Sequence, residues 1–342
     1  MKTITFGEMM LRLSTPGFKR FTQTDSFDVT FGGGEANVAV SLAHFGMDSY
    51  FVSKLPPNDI GQAAVNHLRR YGVSERFVVR GGDRIGIYFL ETGASQRSSK
   101  VVYDRANSAV STLAESELDL DAIFDGAGWF HWTGITPALG QTARDTLNSM
   151  CKAAKQAGAT VSCDLNYRAK LWSTEEAQSV MPSMMEYVDV CIANEEDVQK
   201  CLGFGGGIED VESGHLNESG YADLIKNLKK EYGFSAVAVT LRESFSASMN
   251  GWSAIMMDDA DCAEPYRSSR YEIKLIDRVG GGDAFSGGLI AGLSKKDNSR
   301  DALEFAVAAS CLKQTIPGDF NHVTEHEVDQ LVAGSGSGRV ER

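Results

Sequence analysis

At 342 residues, with 42% hydrophobic residues and 35 glycines, the chain is long enough for one sizeable α/β core with an appended element, and two independent domains are not required. A formal net charge of −13 argues against a nucleic-acid backbone or an anionic membrane as partner, yet leaves room for a local basic pocket that takes an acidic small molecule. No apolar run approaches a membrane span, Glu8 and Arg12 interrupt the N-terminal apolar pattern, and six scattered cysteines without a Cys-x-x-Cys pair read as reduced thiols, so the expected setting is the cytoplasm.

Residues 3–6 and 9–14 read as strands, and Gly32-Gly33-Gly34 is a glycine turn feeding a helix over 35–45. A strand at 50–53, a helix at 60–71 and a strand at 77–79 continue the alternation that signals a parallel sheet with helices on both faces. The pattern then changes. Residues 85–91 and 100–105 are β-rich runs separated by the polar turn 92–99, which predicts a hairpin projecting from the sheet as a lid. Within it Tyr103 and Arg105 are two apart and face the same way.

A strand at 129–132, a helix at 141–157 and a strand at 160–163 follow, the last ending in Asp164-Leu165-Asn166-Tyr167-Arg168. Ligands of open α/β sheets gather at the carboxyl ends of strands, which is where Arg168 falls. A helix at 175–187, a strand at 188–193 and a helix at 195–201 with Asn194 as N-cap repeat the unit. The glycine-rich acidic stretch 203–220 reads as a surface insertion. Strands are expected at 236–240 and 245–249, joined by a turn at 241–244, and a helix at 300–314. His322-Val323-Thr324-Glu325-His326 matches a zinc-ligand spacing, but Thr324 and Glu327 form a capping box that starts a helix there and leaves His322 off its face.

Leu275 to Gly288 is the most informative stretch. Gly280-Gly281-Gly282 removes every Cβ from a turn that opens a helix over 284–293, and the unpaired amides and positive dipole end of such a turn suit phosphate. Asp283 stands at that turn, either as a helix cap or as a base that accepts a hydroxyl proton while the glycine amides hold a transferred phosphoryl group; the dipole favours its ionised form. Neither a P-loop nor a dinucleotide fingerprint is present.

This run resembles the second signature of the PfkB (ribokinase-like) carbohydrate kinases, Asp-Thr-x-Gly-Ala-Gly-Asp, matched at Asp277, Gly280, Gly282 and Asp283, with Arg278 for Thr and Gly281 for Ala. Gly33-Gly34-Glu35-Ala36-Asn37-Val38-Ala39 resembles the first signature. The resemblance implies a ribokinase-like three-layer α/β/α sandwich with a mostly parallel central sheet, over residues 1–333, and a β lid from about 10–30 and 85–106, while the polar Gly/Ser composition of 334–342 predicts a disordered tail. It implies ATP and Mg²⁺ as cofactors, Gly34, Asn37, Tyr88, Tyr103, Arg105 and Arg168 as sugar contacts, and Asn194, Thr240, Arg242, Gly280 and Gly282 as nucleotide contacts. Asn194-Glu195-Glu196-Asp197 resembles the motif that organises Mg²⁺ through water, with Glu196 and Asp197 as candidates, and Asp277 becomes a candidate for a monovalent cation, potassium.

Within the family, Tyr88 to Glu91, Val102 to Ala109, Asp164 to Arg168 and Ile316 to Phe320 resemble the branch that phosphorylates the terminal hydroxyl of 2-keto-3-deoxygluconate. Two arginines suit the carboxylate of an acid sugar. A fructokinase or other neutral-sugar kinase is the alternative, as is a non-catalytic sugar-binding module. A homodimer or higher homo-oligomer through the lid is implied as well.

Overall fold

The computed structural model describes residues 1–204, 218–258 and 264–335. Cys262, most of the 203–220 stretch and residues 336–342 of the tail lie outside them. The first part of the chain lays down β1 (Lys2–Phe6), β2 (Met10–Ser14), β3 (Asp28–Gly32), β4 (Asp48–Leu55), β5 (Val78–Arg80), β6 (Gly86–Glu91) and β7 (Lys100–Asp104). The remainder supplies β8 (Ala127–Thr133), β9 (Thr160–Asp164), β10 (Val190–Ala193), β11 (Ala236–Ser246), β12 (Met249–Met257), β13 (Tyr266–Arg267) and β14 (Tyr271–Lys274).

The large sheet runs β13-β12-β11-β10-β9-β8-β1-β4-β5, with β14 also on β12. It is parallel from β11 to β5 and antiparallel where β12 pairs with β11, β13 and β14. Parallel strands need both faces covered, and β10 shows how that is met. Val190 and Ile192 pack with Leu289 and Leu303 on one side, while Cys191 and Ala193 pack with Met181, Val198 and Ile225 on the other. The result is the three-layer α/β/α arrangement expected from the sequence.

After β1 the chain builds outward to β4 and β5 on one side and to β8 and its successors on the other. The switch point therefore lies beside β1, where the crevice of an open sheet receives ligands. Helix Gly281–Lys295 is pinned beneath that crevice by Phe285, Leu289 and Ile290, all fully buried and each worth about 2 kcal/mol.

The smaller sheet, β3-β2-β6-β7, is the lid. Register puts Arg12, Tyr88 and Tyr103 in one row on its inner face, and Val29, Leu13, Phe89 and Val102 in one row on its outer face. The 85–105 hairpin forms as expected, whereas β3 carries no clear strand signal because its outer half is exposed.

One boundary departs from expectation. Residues 241–244 do not turn; β11 continues to Ser246 and the reversal falls at 247–248. Beyond β10, β11 and β12 continue as a ribbon with β14 on the other edge of β12, and the backbone ladder there is satisfied by strand pairing, so polarity reports exposure rather than a turn. The ribbon's tip meets the lid, with Ala247 N–H donating to Ser95 O at 2.7 Å and Ser95 N–H to Ser248 Oγ at 3.0 Å. Thr324 and Glu327 do form a capping box on helix Glu325–Val332, leaving His322 before it. Among the described residues no metal-binding group of three or more His, Cys, Asp or Glu forms, and no helix is long and apolar enough to cross a membrane.

Candidate active site

A cleft of about 1820 Å³ runs between the lid and the carboxyl ends of the large sheet. It is lined by Gly34, Asn37, Tyr88, Tyr103, Arg105, Arg168, Asn194, Glu196, Asp197, Thr240, Arg242, Gly280, Gly281, Gly282 and Asp283. Every residue the sequence nominates is thus in one space, with one exception: Asp277 does not line it.

The floor is built by two helix starts that meet head to head. Gly34 opens helix Gly34–His44 so close to the other that an added Cβ would lie 3.7 Å from Asp283 Oδ1. Asn37 Nδ2 donates to Asp283 Oδ2 at 2.6 Å, and its own Oδ1 accepts from Gly33 N–H at 3.2 Å, so one amide spans both turns. Glu35, which sequence reasoning passed over, anchors the arrangement from below: Oε1 accepts from Thr133 N–H at 3.1 Å and from the hydroxyls of Thr133 and Thr136, each at 2.7 Å. Burial pushes its carboxyl up to about 7 against those hydrogen bonds.

The three glycines at the second turn do different work. At Gly280 φ is +80° and a Cβ would strike the Asp319 carbonyl oxygen at 2.1 Å, so that position serves the chain path. At Gly282 no atom stands within 4 Å of an added Cβ, and the residue is exposed on the cleft. Gly281 N–H bonds back to Arg278 O at 3.2 Å, while the other first-turn amides lack an intrahelical acceptor and face the end of the dipole.

Asp283 lies in the first turn behind Gly280, the N-cap. The helix dipole alone predicts an ionised, weakly basic carboxylate, but burial dominates and pushes its pKa up to about 6. The Asn37 hydrogen bond, then Arg168, oppose the rise, and Asp319 adds to it. Asp164, at the end of β9, is held well above the usual carboxylate range by burial, then by Asp197 and Asp283, with Arg168 in opposition. Three carboxylates around one space repel each other, which a dication would relieve, so the site fits Mg²⁺ held through water and nucleotide phosphates. Asp197 is already engaged: it accepts from Tyr167 N–H at 3.0 Å and from Asn194 Nδ2 at 2.8 Å. Glu196 remains exposed on the cleft.

Beneath the lid, Arg105 pairs with buried Glu8 and lies 5.5 Å over the Tyr103 ring, while its Nε is buried without a hydrogen-bond partner among the described residues. Arg168 donates to its neighbour's carbonyl, Tyr167 O, at 2.9 Å. At the far end, Arg242 and Arg278 both line the cleft. Arg278 stands where the family signature has Thr; burial, then the charge of Arg242, lowers its pKa, and its Nε has no hydrogen-bond partner among the described residues. Two guanidinium groups lining one part of the cleft suit an anion.

Comparison with known proteins gives the same family from independent ground. Residues 2–323 match the pfkB family carbohydrate kinase. The solved structure of 2-dehydro-3-deoxygluconokinase from Thermotoga maritima is 54% identical, with a TM-score of 0.92 and 98% of each chain covered. A 2-dehydro-3-deoxygalactonokinase of Haloferax volcanii is 34% identical over 98% of both chains, and a 2-dehydro-3-deoxygluconokinase of Bacillus subtilis 29% identical over 96% of this chain and 94% of its own. With its two glycine turns meeting at Asp283 beneath a β lid, this chain belongs to the pfkB family of carbohydrate kinases.

Proposed function

We propose that the protein is a cytoplasmic kinase that transfers the γ-phosphoryl group of ATP to the terminal hydroxyl of 2-keto-3-deoxygluconate, giving the 6-phosphate and ADP. The observation that carries the reading is the pairing of Asp283 with Asn37 at the glycine turn, in a cleft that Arg105 and Arg168 also line. In this scheme the sugar carboxylate lies toward the arginines and the far hydroxyl points at Asp283. As the new O–P bond forms and the bond to the ADP oxygen breaks, the hydroxyl proton passes to Asp283, while the turn's amides take the charge on the phosphoryl oxygens. Asn37 keeps one carboxylate oxygen occupied and so aims the other. Arg278 and Arg242 bind the nucleotide phosphates. Mg²⁺, bound with the nucleotide, supplies neutralisation of phosphate charge.

Steady-state phosphorylation of a panel of sugars is the test. The expected order is 2-keto-3-deoxygluconate above its galactonate epimer, and both above fructose by about a hundred-fold or more in kcat/KM, because a neutral sugar brings no carboxylate for Arg105 and Arg168 to bind. Preference for fructose would transfer the chain to the neutral-sugar kinases, and no turnover of any sugar would leave it a binding module.

A homodimer through the lid belongs to the same reading. Its outer face carries the apolar row Val29, Leu13, Phe89 and Val102, with Val29 64% and Val102 52% exposed. Sedimentation should give a dimer for the wild type and a monomer for Val102→Glu.

A further inference from the structure

Beneath the glycine turn, away from the cleft, lie two buried cations that phosphoryl transfer does not touch directly. Lys313, the last residue of helix Ser299–Lys313, is fully buried, and its Nζ donates to the carbonyl oxygens of Asp277, at 3.2 Å, and of Val279. Arg12, from β2 of the lid, is 4% exposed. Its guanidinium donates to Asp277 Oδ2 at 2.5 Å, to Asp319 Oδ1 at 2.6 Å and to Ser14 Oγ at 2.6 Å. Asp277 also accepts from Gly318 N–H at 3.0 Å and Val279 N–H at 3.1 Å, and Tyr88 Oη donates to Asp319. The guanidinium of Arg12 thus ties the loop that leads into the turn to the loop that carries Asp319, and the ammonium of Lys313 holds two carbonyls of the first.

A dissociable monovalent cation at Asp277 would need a carboxylate with negative charge to spare and carbonyl oxygens facing open space. Neither condition holds. Asp277 and Asp319 carry two negative charges against the two positive charges of Arg12 and Lys313, and the loop carbonyls already receive an ammonium, which resembles potassium in charge and size. Potassium does not fit this site. The consequence reaches the chemistry through the backbone: in a planar trans peptide the carbonyl and the following N–H point opposite ways, so the hold on Val279 O fixes the direction of the Gly280 N–H.

We infer that Lys313, assisted by Arg12, is a built-in counter-ion that positions the glycine turn in place of a bound monovalent cation. This rests on the kinase reading of the same turn. Lys313 is a positioning residue, since it contacts the loop and not the substrate.

The experiment compares the wild type with Lys313→Ala in potassium, ammonium, sodium and tetramethylammonium chlorides at equal ionic strength. Wild-type kcat should vary less than about twofold, whereas Lys313→Ala should lose about a hundred-fold in tetramethylammonium, in kcat rather than in sugar KM, and regain at least about ten-fold with potassium or ammonium. Its melting temperature should rise with potassium while the wild type's does not. That thermal readout stands even if no sugar proves to be phosphorylated, and so separates failure of this inference from failure of the kinase assignment. Potassium activation of the wild type overturns the inference. So does a folded Lys313→Ala that is unaffected, or impaired without cation rescue. Should Lys313→Ala not fold, the wild-type cation series decides alone.

Discussion

The side-chain amide of Asn37 lies 2.6 Å from the carboxylate of Asp283, 246 residues further along the chain, and this one bond joins the first glycine turn to the second. It explains how a carboxylate pushed up to about 6 by burial can still be oriented as a base: the amide stabilises one oxygen and leaves the other to the substrate.

Asp283→Asn should abolish turnover, by about a hundred-fold or more, with sugar KM within a few-fold, because shape is kept and the proton acceptor is lost. It should also stabilise the fold at neutral pH. A carboxyl raised from 3.8 to about 6 binds its proton more tightly in the native state, so stability falls as pH rises between those values, and the penalty is complete above about 6. Discounted for solvent reaching it through the cleft, that penalty is on the order of 1–2 kcal/mol. Thermal melts at pH 4.5 and 7.5 should show a larger advantage for the variant at the higher pH, and an equal difference at both would refute the burial argument.

The same titration sets the acid limb of the wild-type profile. Below about pH 6 the base is protonated, and kcat/KM should fall about ten-fold per pH unit. An acid limb lying near pH 4 would mean that the helix dipole, not burial, governs Asp283.

The glycines should separate by variant. Gly280→Ala meets both φ +80° and the Asp319 carbonyl, so it should lose several kcal/mol, on the order of 2–4, of stability. Gly282→Val should melt near the wild type yet lose most of its kcat, because its side chain projects into the cleft where phosphoryl oxygens must approach the amides. Chemical denaturation beside kinetics measures both, and an active Gly282→Val would reduce the turn to a matter of chain direction.

Arg278→Leu should raise KM for ATP by about ten- to a hundred-fold with little change in sugar KM, as loss of a charge-assisted hydrogen bond predicts. Equal losses on both substrates would place the residue in the fold and not at the phosphates.

The sequence made legible what is local. Glycine turns, the Asn194 cap and the alternation of the 85–105 hairpin are short-range signals, and each is found near its expected place. It did not reveal pairings across the chain. In the sequence Arg12 is only a charge that interrupts the N-terminal apolar pattern, and its partners Asp277 and Asp319 lie more than 260 residues away. Lys313 gave no sign of being buried, because a lysine at a helix end normally reaches solvent, and Arg278 gained meaning only beside Arg242. The helix-dipole reading of Asp283 was sound locally, but burial is a property of the whole fold.

Arg105 and Arg168 offer the sharpest separation of acid-sugar from neutral-sugar chemistry. Replacing either by Ala should raise KM for 2-keto-3-deoxygluconate by about 1.5–3 kcal/mol, the worth of a hydrogen bond to a charged group, while changing little for a weakly accepted neutral sugar. The two should not behave alike in other respects. Arg168 stabilises ionised Asp283, so its loss should move the acid limb of the pH profile upward, whereas Arg105, paired with Glu8, should leave that limb in place. Arg105→Ala strands the buried Glu8 carboxylate and should cost stability that Arg105→Lys partly restores, although a lysine's point charge cannot reproduce the planar fork on a carboxylate. A double-mutant cycle should return coupling between the two arginines only when the ligand carries the carboxylate, because residues that share one ligand group are not additive. Coupling of equal size with fructose would show that the arginines hold the lid and not the acid.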